Sequence, residues 1–412
     1  MSKEEGRAPR GAAGGSPSGR HRRSRRVTAA LAVASAVALT AAACGSGGSG
    51  GGGKAADGTA LTSLKVGIPS PAVTVFSATY AIGQYTGCYK RYGYKFSTEV
   101  TTNPSQLVAA MHRGAVDVGV PGSDQYLNML KTVGSDGSLP LSAFYQLYYP
   151  FKYGMAVKPD SDITSLKQLE GRTVGVDVLS DSSSTALKAL LKAQGVDPGK
   201  VKIIATGTGA ASGQALDSGK VAGLFYYDVG FGTILQAGIK LRFLTTDDGK
   251  PPYLNVSGIM AVANSADMAK DKAKYRAFAR CTTEGDIFVE TNPAAAAYIM
   301  LTMYPTLGKP GESLEKQIEA LTLPLLLRQK LIKNPNPGGT YGQINPDEFT
   351  EDLKILLDRD PGSVDVDKIY SNADVPQLTD AEIAAVKQQA ADFKIPGVSG
   401  TVKLPTVPPN AP

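Results

Sequence analysis

The sequence predicts an α/β fold with mainly parallel sheets, built as two similar units. Apolar runs of strand length alternate with helix-periodic segments from about Leu64 onward. The strand ends lead directly into helix-start residues, as parallel crossovers require. A stretch of the first unit also recurs in the second: Met111, Arg113, Gly114 and Val116 correspond to Leu216, Ser218, Gly219 and Val221 at a constant offset of 105.

The first strand is Leu64 to Ile68, closed by Pro69, Ser70 and Pro71, with a helical segment expected from Ala72 to about Tyr89. A strand follows at Lys95 to Val100. Asn103 then Pro104 marks a helix start, because Asn accepts from free N–H groups and Pro fits the first turn. That helix ends near Gly114, and alternating Val116, Val118 and Val120 form a short buried strand leading to Gly122, Ser123 and Asp124. The second unit repeats the grammar with a strand at Gly171 to Val178 and a helix opened by Asp181 to Thr185 that runs to about Gln194. Next come a strand at Val201 to Ala205, a helix at Ala210 to Ser218 and a strand at Val221 to Tyr227.

Residues 1–43 read as a secretory signal: Arg20, Arg22, Arg23, Arg25 and Arg26 precede an uncharged apolar run from Val27 to Ala43. The run is Ala-rich and shorter than the roughly 20 residues of a membrane-spanning helix. Ala41, Ala42 and Ala43 before Cys44 resemble a bacterial lipoprotein cleavage box, which implies that Cys44 is acylated. Ser24-Arg25-Arg26 partly matches a twin-arginine signal, so the general secretory and twin-arginine routes both stay open. Residues 44–63, including the Gly and Ser run after Cys44, form a flexible tether.

The net charge of +6 belongs to the signal, where Lys3 and seven arginines face only Glu4 and Glu5. The body is therefore nearly neutral, which argues against nucleic acid as a partner. Beyond Cys44 the chain has Cys88 and Cys281; a disulfide and two separately buried thiols are both open readings.

In parallel α/β sheets, ligands bind outside the carboxyl ends of the strands. That rule selects Ser70 and Pro71, then Gly122, Ser123 and Asp124, then Asp181, Ser182, Ser183, Ser184 and Thr185, and finally Tyr227 with Asp228. The hydroxyl run at 182–185 could cradle an anion at a helix start or simply cap the helix. Asp124 and Asp228 point instead to a cationic or donor-rich ligand, or are themselves caps.

Three segments carry a family resemblance: Lys65-Val66-Gly67-Ile68, Arg113 to Val120 (RGAVDVGV), and Ile163 to Val176, with the pattern SLxxLxGxTVGV. Over most of residues 64–305 the chain is similar to the ABC-importer binding proteins for nitrate, sulfonates, taurine and thiamine-pyrimidine precursors. The resemblance implies a type II periplasmic-binding-protein fold, two lobes joined by a two-stranded hinge and closing on a ligand. On this reading lobe one is 64–155 plus 255–400, lobe two is 156–254, and 401–412 is a tail. Where relatives often carry Trp-Glu-Pro after the last strand of lobe two, this chain has Tyr227, Asp228 and Val229, so the usual stacking surface is absent. Near the C-terminus, Asn292-Pro293, Asp347-Glu348 and Ile369-Tyr370-Ser371-Asn372 are more similar to the pyrimidine-precursor branch.

The function implied is a lipid-anchored, extracytoplasmic receptor that takes up a small nitrogen- or sulfur-containing molecule and hands it to membrane permease subunits. A monomer with no cofactor or metal is expected. The competing reading is an exported enzyme on the same fold acting on a small heterocycle. With His21 in the signal, His112 is the sole histidine of the body, too few for a histidine zinc site. Gly207 to Gly213 approaches a dinucleotide fingerprint, but its third glycine is displaced by one.

Overall fold

A computed structural model of the chain describes residues 60–411 apart from 71, 134–139, 150–152, 180–181, 246–256, 330–339, 357–361 and 363. Residues 1–43, read as a signal, Cys44 and almost all of the segment read as a tether lie outside the described residues.

Strands β1 (Thr62–Ile68), β2 (Tyr94–Val100), β3 (Val118–Gly119), β4 (Leu141–Gln146), β5 (Tyr153–Val157), β6 (Thr173–Val176), β7 (Lys202–Ala205), β8 (Gly223–Tyr227), β9 (Arg242–Phe243) and β10 (Met260–Asn264) form two sheets. One has the order β2-β1-β3-β10-β4 and the other β7-β6-β8-β5-β9. In each, three strands pair in parallel while a reversed strand, β10 or β5, pairs antiparallel with both neighbours. The repeat read from the sequence is thus a repeat of topology. β5 already belongs to the second sheet, so the chain crosses between Gln146 and Tyr153, slightly ahead of residue 156, and returns between Phe243 and Met260.

Helices α1 (Ala78–Tyr85), α2 (Cys88–Arg91), α3 (Pro104–His112) and α4 (Ser123–Val133) accompany the first sheet. α5 (Ser182–Ala193), α6 (Ala210–Asp217) and α7 (Asp228–Gln236) accompany the second. The helix expected over Ala72 to Tyr89 is divided, because Gly87 adopts φ 76°, a left-handed value that ends one helix before the next begins. The Asn103 cap forms as read, its side chain accepting from the Gln106 N–H at 3.0 Å with Pro104 in the first turn. α3 lies so close to the sheet that a Cβ at Gly67 would meet Leu107 at 2.5 Å and one at Gly119 would meet it at 2.9 Å. Close helix–strand packing therefore explains the glycines of KVGI and DVGV.

The C-terminal helices α8 (Ser265–Lys270), α9 (Lys272–Thr291), α10 (Pro293–Met303), α11 (Leu314–Gln329), α12 (Pro346–Leu356), α13 (Val366–Ile369) and α14 (Asp380–Ala391) complete lobe one and reach across to lobe two. α11 packs on α10 from one lobe and α7 from the other, and α12 packs on α4 and α5. The segment read as a tail is packed too: Val402 lies on the lobe-one core, whereas Val407 and Ala411 lie on a lobe-two core. Cys88 and Cys281 are joined by a disulfide, with Cα atoms 5.7 Å apart and 193 residues of separation that enclose all of lobe two. Among the described residues no helix is long and apolar enough to cross a membrane.

Candidate functional site

A cavity of about 600 Å³ opens between the carboxyl ends of the two sheets. Ser70 after β1, Thr102 after β2, and Val120, Gly122, Asp124 and Gln125 after β3 come from lobe one. Asp177 and Val178 after β6, Thr208 and Gly209 after β7, and Tyr227, Val229 and Thr233 at and after β8 come from lobe two. Parallel strands make this convergence unavoidable, since all of their carboxyl ends emerge on one side of the sheet. Phe76, Tyr80, Tyr148, Tyr153 and Tyr227 supply an aromatic wall.

The structure brings together four of the residues selected from the sequence: Ser70, Gly122, Asp124 and Tyr227. Ser123 is buried beside them, but its hydroxyl donates to the Ser257 carbonyl at 2.7 Å and braces the loop. Pro71 and Asp181 lie outside the described residues, as does the Ser182 side chain. The hydroxyl cradle does not appear among the described lining residues: Ser183 donates back to the Val178 carbonyl at 3.2 Å, Ser184 is buried and Thr185 is exposed.

Asp228 requires a correction. It opens α7 but turns away from the cavity, fully buried, with both carboxylate oxygens engaged by Arg328 of α11; the Nη2–Oδ1 contact is 2.6 Å. The Arg328 guanidinium lies 3.6 Å from the Phe76 ring centre and 4.0 Å from that of Tyr148. A buried ion pair tying the two lobes together thus stands behind the aromatic wall. Sequence could not separate this role from a ligand-binding one, because the partner is a hundred residues away.

Several lining residues escaped the sequence reading, Asp177 foremost. It lies directly after β6, where the strand-end rule applies, yet the Ser-rich run four residues on drew the assignment. Asp177 is 8% exposed, and its Oδ1 is buried without a hydrogen-bond partner. The glycine loop that approached a dinucleotide fingerprint lines the cavity through Thr208 and Gly209, whose N–H donates to the Tyr226 hydroxyl at 2.8 Å. Burial raises the Tyr80 and Tyr227 phenols far above their ordinary value. Tyr148 is pushed up to about 12, burial outweighing the opposing pull of Arg328. These hydroxyls stay protonated at neutral pH and act as neutral hydrogen-bonding groups. His112 is exposed at the end of α3, away from the lining. Among the described residues no group of three or more His, Cys, Asp or Glu side chains is arranged to hold a metal ion.

The family described as NMT1/THI5 like matches residues 75–296, more than half of the chain. The chain belongs to the NMT1/THI5-like family. Its fold is that of the periplasmic binding proteins. The periplasmic aliphatic sulphonate binding protein SsuA from Escherichia coli is 19% identical at a TM-score of 0.54, with 76% of this chain and 99% of that one covered. The periplasmic nitrate-binding protein NrtA from Synechocystis PCC 6803 is 14% identical at a TM-score of 0.50, with coverages of 82% and 91%. A Candida albicans protein described as exhibiting the generic periplasmic binding protein structural fold is 12% identical at a TM-score of 0.50, with coverages of 78% and 100%. No curated protein matches the chain. As an NMT1/THI5-like chain it has its family segments in structural positions: in SLxxLxGxTVGV, Leu166 and Leu169 are core residues, and the Gln168 side chain accepts from the Thr164 and Ser165 N–H groups at 2.7 and 3.0 Å. Asp117 of RGAVDVGV ties β1 to α9 by accepting from the Lys65 N–H at 2.8 Å and pairing with Lys274 at 2.9 Å.

Proposed function

We propose that this chain is an extracytoplasmic solute-binding lipoprotein of an ABC importer, which captures a small organic nitrogen- or sulfur-containing molecule between its lobes and delivers it to permease subunits. The observation that carries this reading is the cavity itself: polar groups from both lobes converge on a concave, aromatic-walled volume within the usual range for small-molecule sites. Closure follows from that division, since a ligand touching both lobes favours the conformation that brings them together. The sulfonate and nitrate receptors of the same fold support transport as the context. The basic and apolar N-terminus, Cys44 and the Gly-rich stretch support export and lipid anchoring.

A thermal-shift screen over amines, pyrimidines, sulfonates and nitrate tests the binding role, with product analysis of each hit. A raised melting temperature with no turnover is expected, and conversion of a bound compound would transfer the chain to the enzymes. Anchoring has its own check: Cys44→Ala should move the protein from the membrane fraction to the soluble fraction, and continued membrane association would remove Cys44 from that role.

A further inference from the structure

Building on the solute-binding reading, we propose that the cavity selects an organic cation, and that Asp177 is the carboxylate that pairs with it. The cation class is a protonated amine, amidinium or quaternary ammonium carried on a small apolar or aromatic body.

Asp124 and Asp177 line the cavity, whereas no Lys, Arg or His does so among the described residues. The Arg328 guanidinium stands behind Phe76 and Tyr148, 1% exposed and paired with Asp228. Among the described lining residues an anion would therefore meet the Asp177 carboxylate and no cationic side chain. Helix starts are the usual alternative seat for an anion. Of the helices that begin at the cavity, α4 and α7 carry a carboxylate in the first turn, Asp124 and Asp228, which compensates their positive ends, whereas α6, starting after Gly209, carries none.

Asp177 supplies the specific contact. A carboxylate more than nine-tenths buried with a partnerless Oδ1 is costly on its own, and a charge-assisted hydrogen bond or ion pair from a ligand removes that cost. The same cavity is lined by five aromatic rings, which supply apolar surface for the body of such a ligand.

Titration calorimetry of the purified protein with choline, spermidine and benzamidine, alongside the neutral isosteres 3,3-dimethylbutanol and benzamide and the anions ethanesulfonate and nitrate, tests the assignment. At least one cation should bind tenfold or more tightly than its neutral counterpart. Asp177→Asn should erase that preference with the melting temperature of the free protein retained, and Asp177→Glu should keep part of it. Preferential binding of an anion or a neutral isostere, or an unchanged cation affinity in Asp177→Asn, overturns the inference and leaves the receptor reading standing. Heat from none of the probes counts against both.

Discussion

Arg328 is held between two aromatic faces with its charge matched by Asp228, and both side chains are essentially inaccessible to water. Truncating either partner strands a buried charge, so Asp228→Ala is expected to destabilise the fold by about 3–5 kcal/mol in chemical denaturation. A loss below roughly 1 kcal/mol would show that the pair is solvated. Glu348 offers a second residue-scale test. Burial raises it to about 7, against the opposing effect of hydrogen bonds from Gln146 and Asn345. A carboxyl raised on folding favours the folded state in its protonated form, so its contribution is present below the ordinary value of 4.5 and is lost as pH rises through about 7. Burial raises Asp352 and Asp286 in the same direction. Glu348→Gln should therefore stabilise the protein at pH 8 by on the order of 3 kcal/mol relative to the parent, with the gain vanishing near pH 4. Urea unfolding at the two pH values reads this directly.

Among the elements, the joint between α2 and α9 links the opening of lobe one to the part added after the chain returns from lobe two. Cys88→Ser with Cys281→Ser removes that link and should cost about 2–4 kcal/mol, read as a lower melting temperature. Asn103→Ala should cost about 1 kcal/mol, because its side chain satisfies the first turn of α3. Elements were legible where local chemistry decides them. The Asn103-Pro104 cap, the alternation of strand and helix and the 105-residue repeat all act over a few neighbours or through a regular period. The division of the segment from Ala72 to Tyr89 was not, since Gly87 takes its left-handed conformation where a continuous periodic pattern would carry the helix on.

At the scale of the whole molecule, the lobes are joined by more than two crossing segments. α11, α12 and the stretch from Val402 to Ala411 each touch both sides. Removing residues 403–412 uncovers the lobe-two surface under Val407 and Ala411, and should lower stability by about 1–2 kcal/mol. The location of the site was readable because parallel topology fixes it, and Ser70, Gly122, Asp124 and Tyr227 were found on that ground. Asp228 was misplaced because its long-range partner, Arg328, is invisible to local sequence, and Asp177 is the carboxylate that lines the cavity on that side. Native mass spectrometry of the purified protein is the most direct test of solute capture. The account expects one small molecule per chain, released chemically unchanged on unfolding; a chain that retains no molecule from its source or from the screened probes, or that releases an altered product, would contradict it.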